Sequence, residues 1–201
     1  MKRGMFRKHL ILLRNFAADE RNEKNMNILK LNEIRYKILS DVKKEFTDEL
    51  IPAKLTDPGE NDVPVLNVIL SGSDEDTGNM TGEFFFMESA ANDEIQYFVN
   101  LITVYEDVPE ENLPELAVAV SALNTYVPVG AFAIDYAAQS LIYKLTYLMP
   151  ANADEMSIRE AVDNTMGCTF QALTDFSYLL SDVCEGDRSA ESVIEVVSGE
   201  L

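Results

Sequence analysis

The chain has 201 residues, a hydrophobic share of 47% and a net charge of −19, enough apolar material for one packed domain and too much for a chain disordered throughout. Residues 1–54 carry 13 Lys/Arg against 8 Asp/Glu, whereas residues 55–201 carry 3 against 27, a body at −24. Phosphate backbones and anionic lipid repel such a body, so no nucleic acid is expected on the acidic domain; its favourable partners are basic proteins, cations or its own basic leader, and acidity that only maintains solubility is the plainer reading.

Residues 1–25 read as a basic amphipathic leader. Phe6, Leu10, Leu13 and Phe16 fall near helical spacing among Lys2, Arg3, Arg7, Lys8 and Arg14. Lying on anionic lipid, docking on the acidic body or a second subunit, and staying loosely ordered all fit that pattern. The apolar run from Leu10 to Leu13 is bracketed by His9 and Arg14, too short for a secretory core or a membrane span. No transmembrane segment is predicted elsewhere, and a cytoplasmic protein is expected.

One α+β domain is predicted over 26–186, with a partly helical tail over 187–201. Its first helix spans about 27–50, with a stripe of Leu31, Ile34, Ile38, Val42 and Phe46, and ends at Ile51-Pro52. Three strands follow, at 63–70, 82–88 and 95–105. The last alternates Ile95, Tyr97, Val99, Leu101 and Thr103 with Gln96, Phe98, Asn100 and Ile102. Short turns between them predict an antiparallel meander.

A second helix is predicted over 109–126, then strands at 131–136 and 141–149 joined by a tight turn. Leu141, Tyr143, Leu145 and Tyr147 share one face of the last strand. The third helix begins near Asp154 or Ser157, where Ser157 and Glu160 have capping-box spacing, and stops before Gly186. Cys168 and Cys184 sit sixteen residues apart in it, about 24 Å along a helix, too far for a disulfide. Both are expected as small buried residues. The order is α-β-β-β-α-β-β-α, an α+β class with a five-stranded antiparallel sheet and helices on one face.

That order resembles the chaperones of bacterial type III secretion, whose fold the YbjN family shares. The stretch most similar to YbjN runs from Leu116 to Leu148. A helix ends in Leu123-Asn124 and leads into Gly130-Ala131-Phe132-Ala133-Ile134-Asp135, then Ile142-Tyr143-Lys144-Leu145, with Lys144 where that family usually has arginine. The resemblance covers about residues 27–184. It implies an acidic homodimer without catalytic activity that holds a protein client on apolar surface patches.

The residues predict no catalytic, cofactor or metal site. The one histidine, His9, lies in the leader, so no Ser-His or Cys-His arrangement is available on the domain. One His and two separated Cys are too few for a zinc site. The glycines at 72, 78 and 82 do not make a phosphate loop. The turn Ser73-Asp74-Glu75-Asp76 lacks the spacing and terminal Glu of a calcium loop. Asp135, Asp163 and Asp175 show no spacing that argues for a catalytic carboxylate pair.

The predicted function is therefore non-catalytic protein binding, with a small-ligand-sensing regulatory domain as the alternative. The candidate interaction surface is aromatic: Phe84, Phe85, Phe86, Phe98, Tyr143 and Tyr147. Phe84 and Phe86 must face opposite to Phe85 in a strand. If the opposite face is open, Phe85 with Phe98 or with tyrosine-rich neighbours is expected on it as an exposed patch, and an ordinary core is the other reading of the run.

Overall fold

A computed structural model of the protein describes residues 30–56, 63–70 and 79–199. The leader, with His9, and the acidic turn at 73–76 lie outside the described residues. The chain divides into two compact units, Met1–Lys37 and Ile38–Leu201. In the first, residues 30–37 are helical, and Arg35 donates to the Asn32 side chain at 2.9 Å. The second holds everything that follows.

The elements, in chain order, are α1 (30–48), β1 (Ala53–Leu55), β2 (Val65–Leu70), β3 (Met80–Glu88), β4 (Ile95–Tyr105), α2 (Leu113–Leu123), β5 (Ala131–Asp135), β6 (Ser140–Pro150), α3 (Glu155–Glu185) and α4 (Ala190–Ser198). A 3-10 turn, Glu110–Asn112, leads into α2. The fold is α+β, with one antiparallel sheet in the order β1-β2-β3-β4-β6-β5. The sheet has six strands where the sequence pattern predicts five. The added one, β1, is three residues long, too short to show alternation. Backbone pairing on β2 creates it: Ile69 donates to the Pro52 carbonyl and Thr56 to the Val65 carbonyl, each at 2.9 Å.

Long central strands fix which side is core. On β4, Phe98, Asn100 and Ile102 are fully buried, and their cross-strand neighbours include Phe86, Phe84 and Tyr143. Phe46 of α1, Phe84 of β3 and Phe170 of α3 form a triangle with centroids 6.1–6.4 Å apart, which places the 38–48 part of α1 and α3 on this face. Each buried aromatic contributes roughly 1.5–3 kcal/mol of transfer free energy. The face also carries polar groups. Asn100 Nδ2 donates to Thr169 Oγ1 at 2.8 Å, Thr169 donates to the Thr165 carbonyl, and Gln96 Nε2 donates to the Pro150 carbonyl. Asn100 Oδ1 is buried and accepts no hydrogen bond among the described residues.

Helix α3 is capped by Asp154, which accepts from the Ser157 N–H at 2.9 Å, rather than by Ser157 itself. Acceptance of those hydrogen bonds holds the Asp154 carboxyl below its ordinary pKa. Gly186, at φ +83°, ends the helix in the left-handed region. Cys184 is buried as expected, and burial pushes its thiol up to about 12. Cys168 is exposed instead, because it falls on the solvent side of the stripe formed by Thr165, Met166 and Thr169. The tail forms α4, which packs on α2, and its first N–H (Ala190) donates to Glu115 at 2.6 Å.

The stretch that carries the resemblance turns out to be a clamp. Asn124, just past α2, grips Phe132 of β5 at both backbone groups: its Oδ1 accepts from the Phe132 N–H and its Nδ2 donates to the Phe132 carbonyl, both at 2.9 Å. Tyr143 packs edge-on against the Phe132 ring, and its hydroxyl donates to the Val129 carbonyl at 2.7 Å. Gly130, at φ +72°, leaves room for that hydroxyl, which a Cβ would overlap. Asp135 then closes the β5–β6 turn by accepting from the Ala137 and Ala138 N–H groups. Asn124→Ala strands both Phe132 groups and is expected to cost about 1–3 kcal/mol. Gly130→Ala adds backbone strain to a steric overlap and should cost at least as much. Urea unfolding measures both, and unchanged midpoints would show that the clamp does not hold β5.

Candidate functional site

The other face of the sheet is built from the residues that alternate with the core. Register places Phe85 opposite Val65 and Val99, Met87 opposite Tyr97, Tyr97 opposite Leu148, Leu101 opposite Lys144, and Ile142 opposite Thr103. Opposed residues of an antiparallel pair share a face, so these side chains lie on one face across four strands, with Phe85, Met87, Tyr97 and Leu148 as its apolar part and Leu101 set between Glu83 and Lys144. Helices α2, α3 and α4, with the 38–48 part of α1, pack on the opposite face or on one another. Ile69, Met87 and Leu148 are 44%, 45% and 54% exposed, while Phe85, Tyr97 and Leu101 are half-buried and Val99 is buried. An open apolar field of this kind is unusual for a surface that meets only water.

The six aromatic residues singled out in the sequence divide between the two faces. Phe84, Phe86, Phe98 and Tyr143 are buried, and burial raises the Tyr143 hydroxyl to about 12. Phe98 does not accompany Phe85: it pairs with Phe86, 5.1 Å between centroids, on the helix-covered face. Alternation assigns two faces to each strand but not the register between strands, so sequence reasoning could not settle which β4 set joins Phe85. Phe85 and Tyr147 are the members that reach the surface, Phe85 on the open face and Tyr147 on the helix side beyond the end of β5. Sequence reasoning missed Met87, Tyr97, Leu101 and Leu148. Their signal was the Ile95–Thr103 alternation, whose more apolar set faces outward.

The acidic side chains are dispersed. Asp135 closes its turn, Asp163 receives Arg159 Nε at 2.8 Å, and Asp175 accepts from Gln171 at 2.8 Å. Among the described residues no three His, Cys, Asp or Glu side chains converge as metal ligands, and no helix is long and apolar enough to cross a membrane. A polar cleft of about 330 Å3 lies where the end of β4 meets the end of α3, lined by Asn79, Thr103, Tyr105, Glu106, Ser181 and Glu185. Burial, then the charges of Glu185 and Cys184, raise the Tyr105 hydroxyl above its ordinary pKa.

Phe84→Ala empties a core site and should cost about 3–5 kcal/mol. Phe85→Ser, one residue on but facing outward, should cost far less. Chemical denaturation of the two variants checks the division of faces, and equal losses would refute it. No family model and no curated protein matches this chain.

Proposed function

We propose that the chain is a non-catalytic protein-interaction module, resembling type III secretion chaperones and the YbjN family, which holds a basic protein partner against the open face of its sheet. The observation that carries this reading is the apolar set of Phe85, Met87, Tyr97 and Leu148 on the sheet face opposite the helices, among the described residues. Two further features support it. The −24 body selects for basic proteins by long-range attraction. The element order from α1 to α3 supports the resemblance, although the YbjN-like stretch itself serves as the Asn124–Phe132 clamp.

A photo-cross-linking residue at Met87 is expected to trap a protein partner in the source cell, whereas one at Glu160, on the exposed side of α3, is not. Phe85→Asp should abolish the Met87 adduct. Equal adducts at both positions, or none at Met87, would remove the open face as the docking surface. Light scattering at twice 22.5 kDa would show that a second copy fills it instead.

The cleft beside Tyr105 favours a second reading, a small-ligand-sensing domain. With Glu106 and Glu185 in its lining, its ligand would be a small organic cation. Spermidine and related amines should then raise the melting temperature in proportion to occupancy. A flat response across the panel at millimolar concentration ends that reading.

A further inference from the structure

Strand β6 is unequally covered along its two sides. It pairs with β4 from Leu141 to Pro150, but with β5 only from Ser140 to Lys144. Among the described residues no strand lies against the β5 side of 145–150. The direction of the backbone groups there follows from two contacts. Ala151 donates its N–H to the Glu94 carbonyl at 2.7 Å, on the β4 side. The Lys144 carbonyl lies on the β5 side, where it would meet a Cβ at Gly130. Backbone groups alternate sides along an antiparallel ladder. Thr146 and Leu148 therefore turn both N–H and C=O to the open side, whereas the Pro150 carbonyl is already taken, accepting from Gln96 Nε2 at 3.1 Å and from the Ala153 N–H at 3.3 Å.

This edge lacks the usual protection along its length. Leu145-Thr146-Tyr147-Leu148-Met149 has no charge and is bracketed by Lys144 and Pro150, the positions of gatekeeper residues. Tyr147, 47% exposed, stands on the helix side of the edge and Leu148 on the outer side. Tyr126 and Val129, exposed in the turn before β5, extend the apolar border. The opposite sheet edge is different: β1 has three residues, with exposed Lys54 at its centre. The five residues 145–149 span about 17 Å, room for an added strand of similar length.

We propose that residues 145–149 of β6 take up an extended segment of a basic protein partner as a seventh strand. The proposal rests on the interaction reading above and specifies how the partner is held. Backbone pairing to Thr146 and Leu148 supplies affinity, and Tyr147 and Leu148 flank alternate side chains of the segment on the two faces. Charge decides the occupant. Asp93, Glu94, Asp154 and Glu155 lie near the Pro150 end, against Lys144 at the other. A second copy would bring one −24 body against another.

The test uses the full chain and a fluorescein-labelled decapeptide alternating Val and Lys, followed by anisotropy. The peptide is expected to bind, a version with Glu for Lys is not, and 0.5 M NaCl should weaken binding several-fold. N-methylation at alternate residues, which removes donors to Thr146 and Leu148, should cost at least tenfold, as should Leu148→Pro. The N-methyl comparison does not depend on the variant folding, and circular dichroism checks Leu148→Pro. Absence of binding at millimolar peptide, or binding indifferent to N-methylation, overturns the proposal. So does a wild-type dimer that Leu148→Pro converts to monomer, since the edge would then belong to a second copy. If the Met87 adduct persists while the peptides fail, strand addition alone falls; if both fail, the interaction reading falls with it.

Discussion

The inward face of β4 is the constraint on which the rest of the molecule depends. The strand is paired on both sides over most of its length, so its register is set by β3 and β6 together. It sends Phe98, Asn100, Ile102 and Val104 toward the helices, and α3 docks on that row through Thr169, with Phe170 against Phe84 of the neighbouring β3. A slip of one residue would exchange this row for Tyr97, Val99 and Leu101, and every contact with α3 would be lost. The buried amide of Asn100 opposes such a slip, because its Nδ2 meets the Thr169 hydroxyl only in this register. Its orphaned Oδ1 is the energetic cost of that specificity.

Surface charges add little to this frame. Arg159 bridges Glu45 of α1 and Asp163 of α3 at 2.6 and 2.8 Å, but all three are partly or largely exposed. Such pairs contribute at most about 1 kcal/mol each. The helix layer is held instead by apolar burial and by a few directional bonds at element ends: Asn112 to the Cys184 carbonyl, Ala190 to Glu115, and Asn124 to Phe132. The acidity acts at longer range. A net charge of −24 on residues 55–201 attracts cations and repels anions over distances longer than any single pair.

Much of the secondary structure was legible in the sequence, for definite reasons. The period-two pattern of 95–105 and the long stripe from Ile158 to Leu180 have one reading each, and both strand and helix appear where those patterns place them. Strand β1 was not legible, because Ala53-Lys54-Leu55 is extended only by pairing with Val68, Asn67 and Leu66. Cys168 was expected in the core, but its position is on the outer side of α3. The six aromatics were expected as an interaction surface, but Phe84, Phe86, Phe98 and Tyr143 are buried in the core, because their register places them under the helices.

The sequence by itself determined the element types, the antiparallel meander, the severe division of charge and the placement of Phe84 and Phe86 opposite Phe85. These are local properties, carried by residue spacing and composition. Which face of the sheet the helices cover, that Phe98 joins Phe86 rather than Phe85, and that β5 leaves half of β6 unpaired were decided only by the tertiary structure. Each depends on register and strand length between segments distant in the chain, and alternation within one strand is the same whichever partner it meets.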